Sequence, residues 1–246
     1  LKLIENHREY RNSPHIVSDI HEIVKKYTGI EDTYADIKKR DIKSALKILP
    51  AIQSFIQNKN DKMYWTLKAA ATGNIIDAAI YDTTNFQDTL IDELSSEFAI
   101  CDIKQFEQDL KSAKTILIVG DNAGETVFDR LLIEFLDSYE IVYGVRSQPI
   151  LNDATRQDAI DSGLDQYCRI IETGSTAPGT LLDRSSEEFL NIFNNADIVI
   201  SKGQGNYESL SGCTRPVYFA LKAKCGVVAD TLRVEVGDYV FVFQNN

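Results

Sequence analysis

The feature that most constrains the fold is a series of short, unbroken apolar segments in the second half of the chain. They occupy residues 115–120, 141–145, 169–173, 196–201 and 216–221. Segments of this kind are typical of strands that are buried on both faces of a parallel sheet. Five of them in about 105 residues indicate that a sheet forms the centre of this half of the chain.

Helical patterns separate the apolar segments. They lie at residues 125–136, 153–163, 187–193 and 206–211. Strands that alternate with helices predict an α/β fold with a Rossmann-like, doubly wound and mostly parallel sheet. The tail VGDYVFVF alternates in hydropathy, which predicts one further strand that closes the sheet.

The first part of the chain has a different pattern. From His15 to Leu110, apolar residues recur at near-helical spacing, so nearly every segment is predicted to be helical. Pro50 falls inside the first long run and is expected to kink or break that helix. A second helix is predicted at about 61–81, followed by a turn from Asp82 and a third helix from Phe86. We therefore predict a helical N-terminal subdomain over residues 1–111 and a Rossmann-like core over residues 112–246.

The charge balance limits the partners of the chain. It has 26 basic and 37 acidic residues, a formal net charge of −11 and a pI near 4.8. Such a chain repels nucleic-acid backbones and anionic membranes at long range, so neither is an expected partner. A small phosphorylated partner requires a metal ion or a lysine that offsets the negative charge locally.

Other features favour a cytoplasmic location. The sequence has no apolar stretch near the roughly 20 residues that span a bilayer, and no secretory signal is visible. The four cysteines have no CxxC spacing, so we expect ordinary thiols of a reducing compartment. The chain begins with Leu1 and not with Met, which leaves open that residues precede it. The oligomeric state is not predicted.

Polar side chains follow the predicted strands at the edge where doubly wound sheets bind ligands. The first strand leads into the segment GDNAGE, which contains Asp121 and Asn122, and the second is followed by Asn152 and Asp153. Each of these residues could be a helix N-cap. Asp and Asn oxygens are also suitable ligands for hard divalent cations. Two acidic groups that converge on one crevice favour a cation between them.

Two further segments at this edge could contact phosphate. The fourth strand leads into SKGQGNYE, in which Gly203 and Gly205 follow Lys202 at the start of a helix. Glycines let backbone N–H groups approach an oxyanion, and the lysine supplies countercharge. The alternative is a glycine-rich turn with a solvated lysine. Arg146, after the second strand, could contact phosphate or neutralise the acidic cluster, and both interpretations stay open.

Three motifs in this order and spacing, GDNAGE, PILNDAT and SKGQGNYE, resemble the damage-control phosphatase family, also called domain of unknown function 89. The segment ATGNIID at residues 71–77 extends the resemblance over most of the chain. The resemblance implies a metal-dependent phosphohydrolase with a helical N-terminal part on a Rossmann-like core. Its implied substrates are sugar phosphates, phosphopantetheine or damaged derivatives of such metabolites. The chain departs from the family where Asp-Pro-Tyr is replaced by Asp32-Thr33-Tyr34, and it lacks or has lost the Cys-containing first segment of some members.

The resemblance also implies roles for individual residues. One divalent ion (manganese, magnesium, cobalt or nickel) would be held by Asp121, Asn122 and Asp153. Lys202 would bind phosphate and complete the predicted catalytic set. The other predicted contacts to the substrate are Gly203, Gly205, Asn206, Arg146, Asn74 and Asp77.

Several alternatives stay open at this point. Asp121 or Asp153 could act as general base through a water at the metal, and covalent attack by Asp121 is not excluded. A second possible activity is an S-adenosylmethionine-dependent carboxyl methyltransferase, although GxGxxG is not met and Arg146 stands where an acidic residue is required. A third interpretation is a non-catalytic metabolite-binding module, against which the full Asp/Asn/Asp/Lys set argues.

Overall fold

The computed structural model describes residue 5, residues 7–73 and residues 86–245. Its centre is a seven-stranded sheet with the order β1-β7-β6-β5-β2-β3-β4. The strands are β1 Phe98–Cys101, β2 Thr115–Val119, β3 Glu140–Val145, β4 Arg169–Glu172, β5 Ile198–Lys202, β6 Val217–Lys222 and β7 Tyr239–Gln244. Neighbouring strands pair in parallel except β6 and β7, which are antiparallel. The predicted α/β, Rossmann-like and mostly parallel architecture is confirmed.

Ten α-helices lie within the described residues. They are α1 Ser13–Thr28, α2 Ala35–Gln57, α3 Lys62–Thr72, α4 Phe86–Ser95, α5 Ile103–Leu110, α6 Thr126–Phe135, α7 Arg156–Asp161, α8 Glu187–Asn195, α9 Gln204–Leu210 and α10 Gly226–Leu232. Alternate residues of the strands face two different helical layers. One apolar core joins Ile116, Ile118 and Ile200 to helices α2, α3 and α6, and the other joins Leu117, Val119 and Val199 to α8, α9 and α10.

Two predictions for the first 110 residues can be compared with the structure, and the first of them was wrong. The segment FAIC was expected to be helical but forms β1 at the edge of the sheet, parallel to β7. A strand of four residues is too short to show a period that distinguishes it from a buried helical segment. Pro50 does not break α2, which continues to Gln57, and a kink at this position stays a prediction. Pro50 and Leu46, whose carbonyl loses its N–H partner, both lie on the exposed side of the helix.

Two other expectations concern the end of the second helix and the division into domains. The predicted second helix extended to about residue 81, but its described part ends at Thr72, and the predicted turn at Asp82 lies outside the described residues. The division at residue 111 stays a prediction; helices from before it pack against α6 of the later part. In the described ranges, no helix is both long enough and apolar enough to cross a bilayer.

Candidate functional site

Three adjacent parallel strands bring the predicted motifs together. Strand β2 lies between β3 and β5, and Val119 pairs with Gly144 on one side and Ser201 on the other. The loops after these three strands therefore leave the same edge of the sheet side by side. This places Asp121, Arg146 and Lys202 at one crevice.

The loops that carry the predicted metal ligands are joined by backbone hydrogen bonds. Asn122 and Asp153 form an antiparallel bridge. The Ala154 N–H donates to the Asp121 carbonyl at 2.8 Å, and the Ala123 N–H donates to the Asn152 carbonyl at 2.8 Å. Residues paired in such a bridge direct their side chains to the same side. The bridge therefore places the side chains of Asn122 and Asp153 on the same side, and the hydrogen bond from Ala154 holds Asp121 next to this pair.

The two aspartates are buried at this site. Their exposed fractions are 8% for Asp121 and 3% for Asp153. Burial and the charge of Asp153 raise the pKa of Asp121 to about 7, although Lys224, Arg146 and Lys202 oppose the shift. Burial also raises the pKa of Asp153, and Arg146 opposes this. Two neighbouring carboxylates in a low-dielectric crevice can both be ionised only if positive charge lies nearby.

Arg146 is the fixed partner of Asp153. Its side chain is 1% exposed, and its Nε donates to Asp153 Oδ2 at 2.7 Å. Its other two nitrogens donate to Thr180 Oγ1 at 2.9 Å and to Asn206 Oδ1 at 3.0 Å. Of the two open interpretations, this geometry favours neutralisation of the acidic cluster, and a contact with phosphate stays a prediction.

Lys202 lies deeper than the prediction of a phosphate contact implies. Its side chain has no exposed surface, and its Nζ donates to Asp129 Oδ1 at 2.5 Å and to Glu125 Oε2 at 3.2 Å. The hydroxyl of Tyr143 donates to the other oxygen of Asp129 at 2.6 Å. Burial lowers the pKa of Lys202, but the charges of Asp129 and Glu125 outweigh it and raise the pKa overall. The ammonium is thus part of a buried ionic network.

The two predicted cradle glycines permit close packing. Gly203 has φ +77°, and a Cβ there would lie 1.9 Å from Asp121 Oδ2. A Cβ at Gly205 would lie 2.0 Å from the Pro178 carbonyl oxygen. The next predicted residue, Asn206, donates from Nδ2 to the carbonyls of Gly120 and Lys202 at 2.9 and 2.7 Å. These residues lock the start of α9 onto the crevice, and their contact with phosphate stays a prediction.

Two residues of the site were missed by the reasoning from sequence. Glu125 accepts a hydrogen bond from Asn122 Nδ2 at 3.1 Å, and burial raises its pKa to about 7 while Lys202 opposes the shift. Lys224 is exposed, and its charge lowers the pKa of both Asp121 and Glu125. It follows β6 at the same sheet edge, so the rule that located the other loops would also have found it.

The helical part of the chain reaches the site through Lys38. This α2 lysine is 2% exposed, and its Nζ lies 2.7 Å from both Asp32 Oδ2 and Asp158 Oδ2. Asp158 caps α7 by accepting from the N–H and hydroxyl of Thr155, two residues after Asp153. Asn74 and Asp77, predicted to line the site, lie outside the described residues.

The residues present fit a divalent cation. Within the described ranges, no three His, Cys, Asp or Glu side chains converge as a metal cluster, so a metal here requires the amide of Asn122 beside the two carboxylates. Two carboxylates and an amide oxygen are the donor set that magnesium and manganese prefer.

Comparison with known proteins identifies the family. The sequence profile of the damage-control phosphatase ARMT1-like domain matches residues 1–240. The chain belongs to the damage-control phosphatase family. Its fold resembles the crystal structure of a DUF89-family protein from Pyrococcus horikoshii, with a TM-score of 0.84, 33% sequence identity and coverage of 93% of this chain and 81% of that chain.

Three curated relatives of this chain come from archaea. An uncharacterised protein of Methanocaldococcus jannaschii is 39% identical over 91% of this chain and 77% of its own. A protein of Pyrococcus horikoshii named damage-control phosphatase is 33% identical over 87% of this chain and 76% of its own. A protein of Archaeoglobus fulgidus with the same name is 31% identical over 97% of this chain and 85% of its own. The names of the last two relatives support a phosphatase role.

Proposed function

We propose that this chain is a cytoplasmic, divalent-metal-dependent phosphatase that hydrolyses small phosphorylated metabolites such as sugar phosphates, phosphopantetheine or damaged derivatives. The observation that carries the proposal is the pair of buried carboxylates, Asp121 and Asp153, beside the amide of Asn122. Membership of the damage-control phosphatase family supports the reaction type.

Asp121, Asn122 and Asp153 would hold the ion. When bound, it would supply positive charge against the phosphoryl oxygens and lower the pKa of an attacking water. Arg146 keeps the Asp153 side chain in one orientation, because its Nε and the carboxylate are both buried and joined at 2.7 Å. The backbone bridge between Asn122 and Asp153 fixes the spacing of the two loops.

Lys224 is the cation that we place against the substrate phosphate. It is exposed, it follows β6 at the edge of the crevice, and its charge acts on Asp121 and Glu125. A phosphate at the site would therefore meet a positive side chain from the solvent side. Replacement by methionine should raise KM more than it lowers kcat, since a contact made equally in the ground and transition states affects binding alone.

The proposal is tested by phosphate release from EDTA-stripped protein. Manganese, magnesium, cobalt and nickel are added back singly, with p-nitrophenyl phosphate, hexose and pentose phosphates and phosphopantetheine as substrates. Asp153→Ala removes a predicted ligand. Asp165→Ala is the matched control, because Asp165 is an exposed carboxylate outside the crevice.

Turnover that is restored by a metal in the wild type and in Asp165→Ala, but not in Asp153→Ala, is the expected result. A folded wild-type protein that releases no phosphate with any metal would contradict the proposal. Binding of S-adenosylmethionine by that protein would then favour the methyltransferase alternative.

A further inference from the structure

The amide of Asn122 has a fixed orientation. Its Nδ2 donates to Glu125 Oε1 at 3.1 Å. The donor in this contact is the amide nitrogen, so Nδ2 and not Oδ1 faces Glu125. The amide is planar, and fixing Nδ2 turns Oδ1 away from Glu125. The other oxygen of Glu125 accepts from Lys202.

Lys202 cannot contact an outside phosphate without leaving this network. Its side chain has no exposed surface, and it lies between Glu125 and Asp129, which are 2% and 0% exposed. Breaking the ion pair would leave Asp129, with its hydrogen bond from Tyr143, as a buried charge without its cation. Such unpaired buried charges are strongly unfavourable.

We propose that Lys202 is a positioning residue that holds Glu125 so that the Asn122 amide presents Oδ1 to the metal site. The contacts run from Lys202 Nζ to Glu125 Oε2 and from Glu125 Oε1 to Asn122 Nδ2. The role of Lys202 is therefore exerted through Glu125 on a metal ligand, whereas Lys224 faces the substrate. This inference rests on the proposed function, because it takes Asn122 as a ligand of the metal.

The test compares Lys202→Met with Lys224→Met. Isothermal titration calorimetry measures the affinity of each variant for Mn²⁺, and then for inorganic phosphate at saturating Mn²⁺. Groups that orient a metal ligand typically contribute about 10- to 100-fold to metal affinity. We expect Lys202→Met to lose Mn²⁺ affinity by about that factor and to keep near wild-type phosphate affinity once the metal is saturating. Lys224→Met should show the opposite pattern.

A double variant, Lys202→Met with Glu125→Gln, separates the role in positioning from a loss of folding. It removes one positive and one negative charge, and the glutamine carbonyl can still accept from Asn122 Nδ2. We expect it to recover most of the Mn²⁺ affinity that Lys202→Met loses. Circular dichroism establishes that each variant is folded, and the double variant carries the test where Lys202→Met does not fold.

Two results would overturn the role of Lys202. One is a folded Lys202→Met protein with wild-type Mn²⁺ affinity and weakened phosphate binding, which would make the lysine a direct phosphate contact. The other is a folded double variant that binds Mn²⁺ no better than Lys202→Met does. If Lys202→Met does not fold, the corresponding result is a folded double variant that does not bind Mn²⁺. Mn²⁺ binding by the wild type is measured first, so its absence counts against the proposed metal site itself.

Discussion

Replacement of Gly203 by alanine is the sharpest test of how the crevice is built. Gly203 joins β5 to α9 with φ +77° and ψ 163°. This region of backbone conformation is populated almost solely by glycine. A Cβ at this position would lie 1.9 Å from Asp121 Oδ2, 2.3 Å from its Cγ and 2.9 Å from its Cβ. The substitution therefore acts on the backbone and on a predicted metal ligand together.

Both effects have a magnitude that follows from the geometry. A residue with a side chain in this backbone region costs about 1–3 kcal/mol. A carbon and an oxygen that are not bonded approach to about 3.3 Å, so the Asp121 carboxylate must withdraw by about 1.4 Å. A displacement of about 1 Å in an active site can cost around 100-fold in rate. We expect Gly203→Ala to lose about 1–3 kcal/mol in free energy of unfolding and about 100-fold in kcat/KM.

The assay is urea denaturation for stability and metal-restored phosphate release for kcat/KM. Gly212→Ala is the matched control, because Gly212 lies outside the left-handed region and a Cβ there would meet no atom within 4 Å. The control should keep wild-type turnover. A Gly203→Ala protein that matches Gly212→Ala in both measurements would refute the close approach of Gly203 to Asp121.

Three further predictions concern buried cations. Arg146→Lys loses the donors to Thr180 and Asn206. Since charge-assisted hydrogen bonds contribute about 1.5–3 kcal/mol each, we expect the free energy of unfolding in urea to fall by about 3 kcal/mol. Unchanged stability would contradict the three-way contact. Lys38→Met leaves two acidic partners without their cation and should lower the free energy of unfolding by about 3 kcal/mol. The same change at the exposed neighbour Lys39 should have little effect. Equal effects of the two substitutions would contradict the coupling through Lys38. Burial lowers the pKa of Lys68 to about 7, with Glu93 opposing. The unfolded chain then binds more protons between pH 7 and about 10.4, so wild-type stability from this group rises with pH across that window. Lys68→Met should therefore stabilise the protein more at pH 6 than at pH 9 in thermal denaturation, and a gain that is equal at both values would show that the buried amine keeps its proton.

The sheet could be predicted because its strands are buried on both faces. Burial of this kind selects unbroken apolar runs, and a glycine or polar residue marks where each run leaves the core. Strand β1 could not be found in this way, since FAIC is short and follows a helical stretch. Helix α10 was also missed, because its seven residues form only about two turns, too few for a helical period to be recognised.

The position of the site was predictable, but its electrostatics were not. The rule that ligands bind at the carboxyl ends of parallel strands places Asp121, Arg146 and Lys202 at one edge without knowledge of their contacts. The partners of Lys202 could not be predicted by this rule, because they do not lie at the end of a strand. They come from the start of α6, which follows β2: Asp129 lies in this helix and Glu125 lies one turn earlier, directly before it. Sequence alone does not show that this face is turned toward β5. Lys38 is likewise paired with Asp158 across 120 residues, and with the nearby Asp32 as well.

The most direct test of the metal site is a crystal structure of the EDTA-stripped protein soaked in Mn²⁺, with anomalous differences collected at the manganese absorption edge. The account predicts one strong peak in direct contact with the carboxylates of Asp121 and Asp153 and with Oδ1 of Asn122. A peak that lies elsewhere, or the absence of any peak in protein that Mn²⁺ activates, would contradict it.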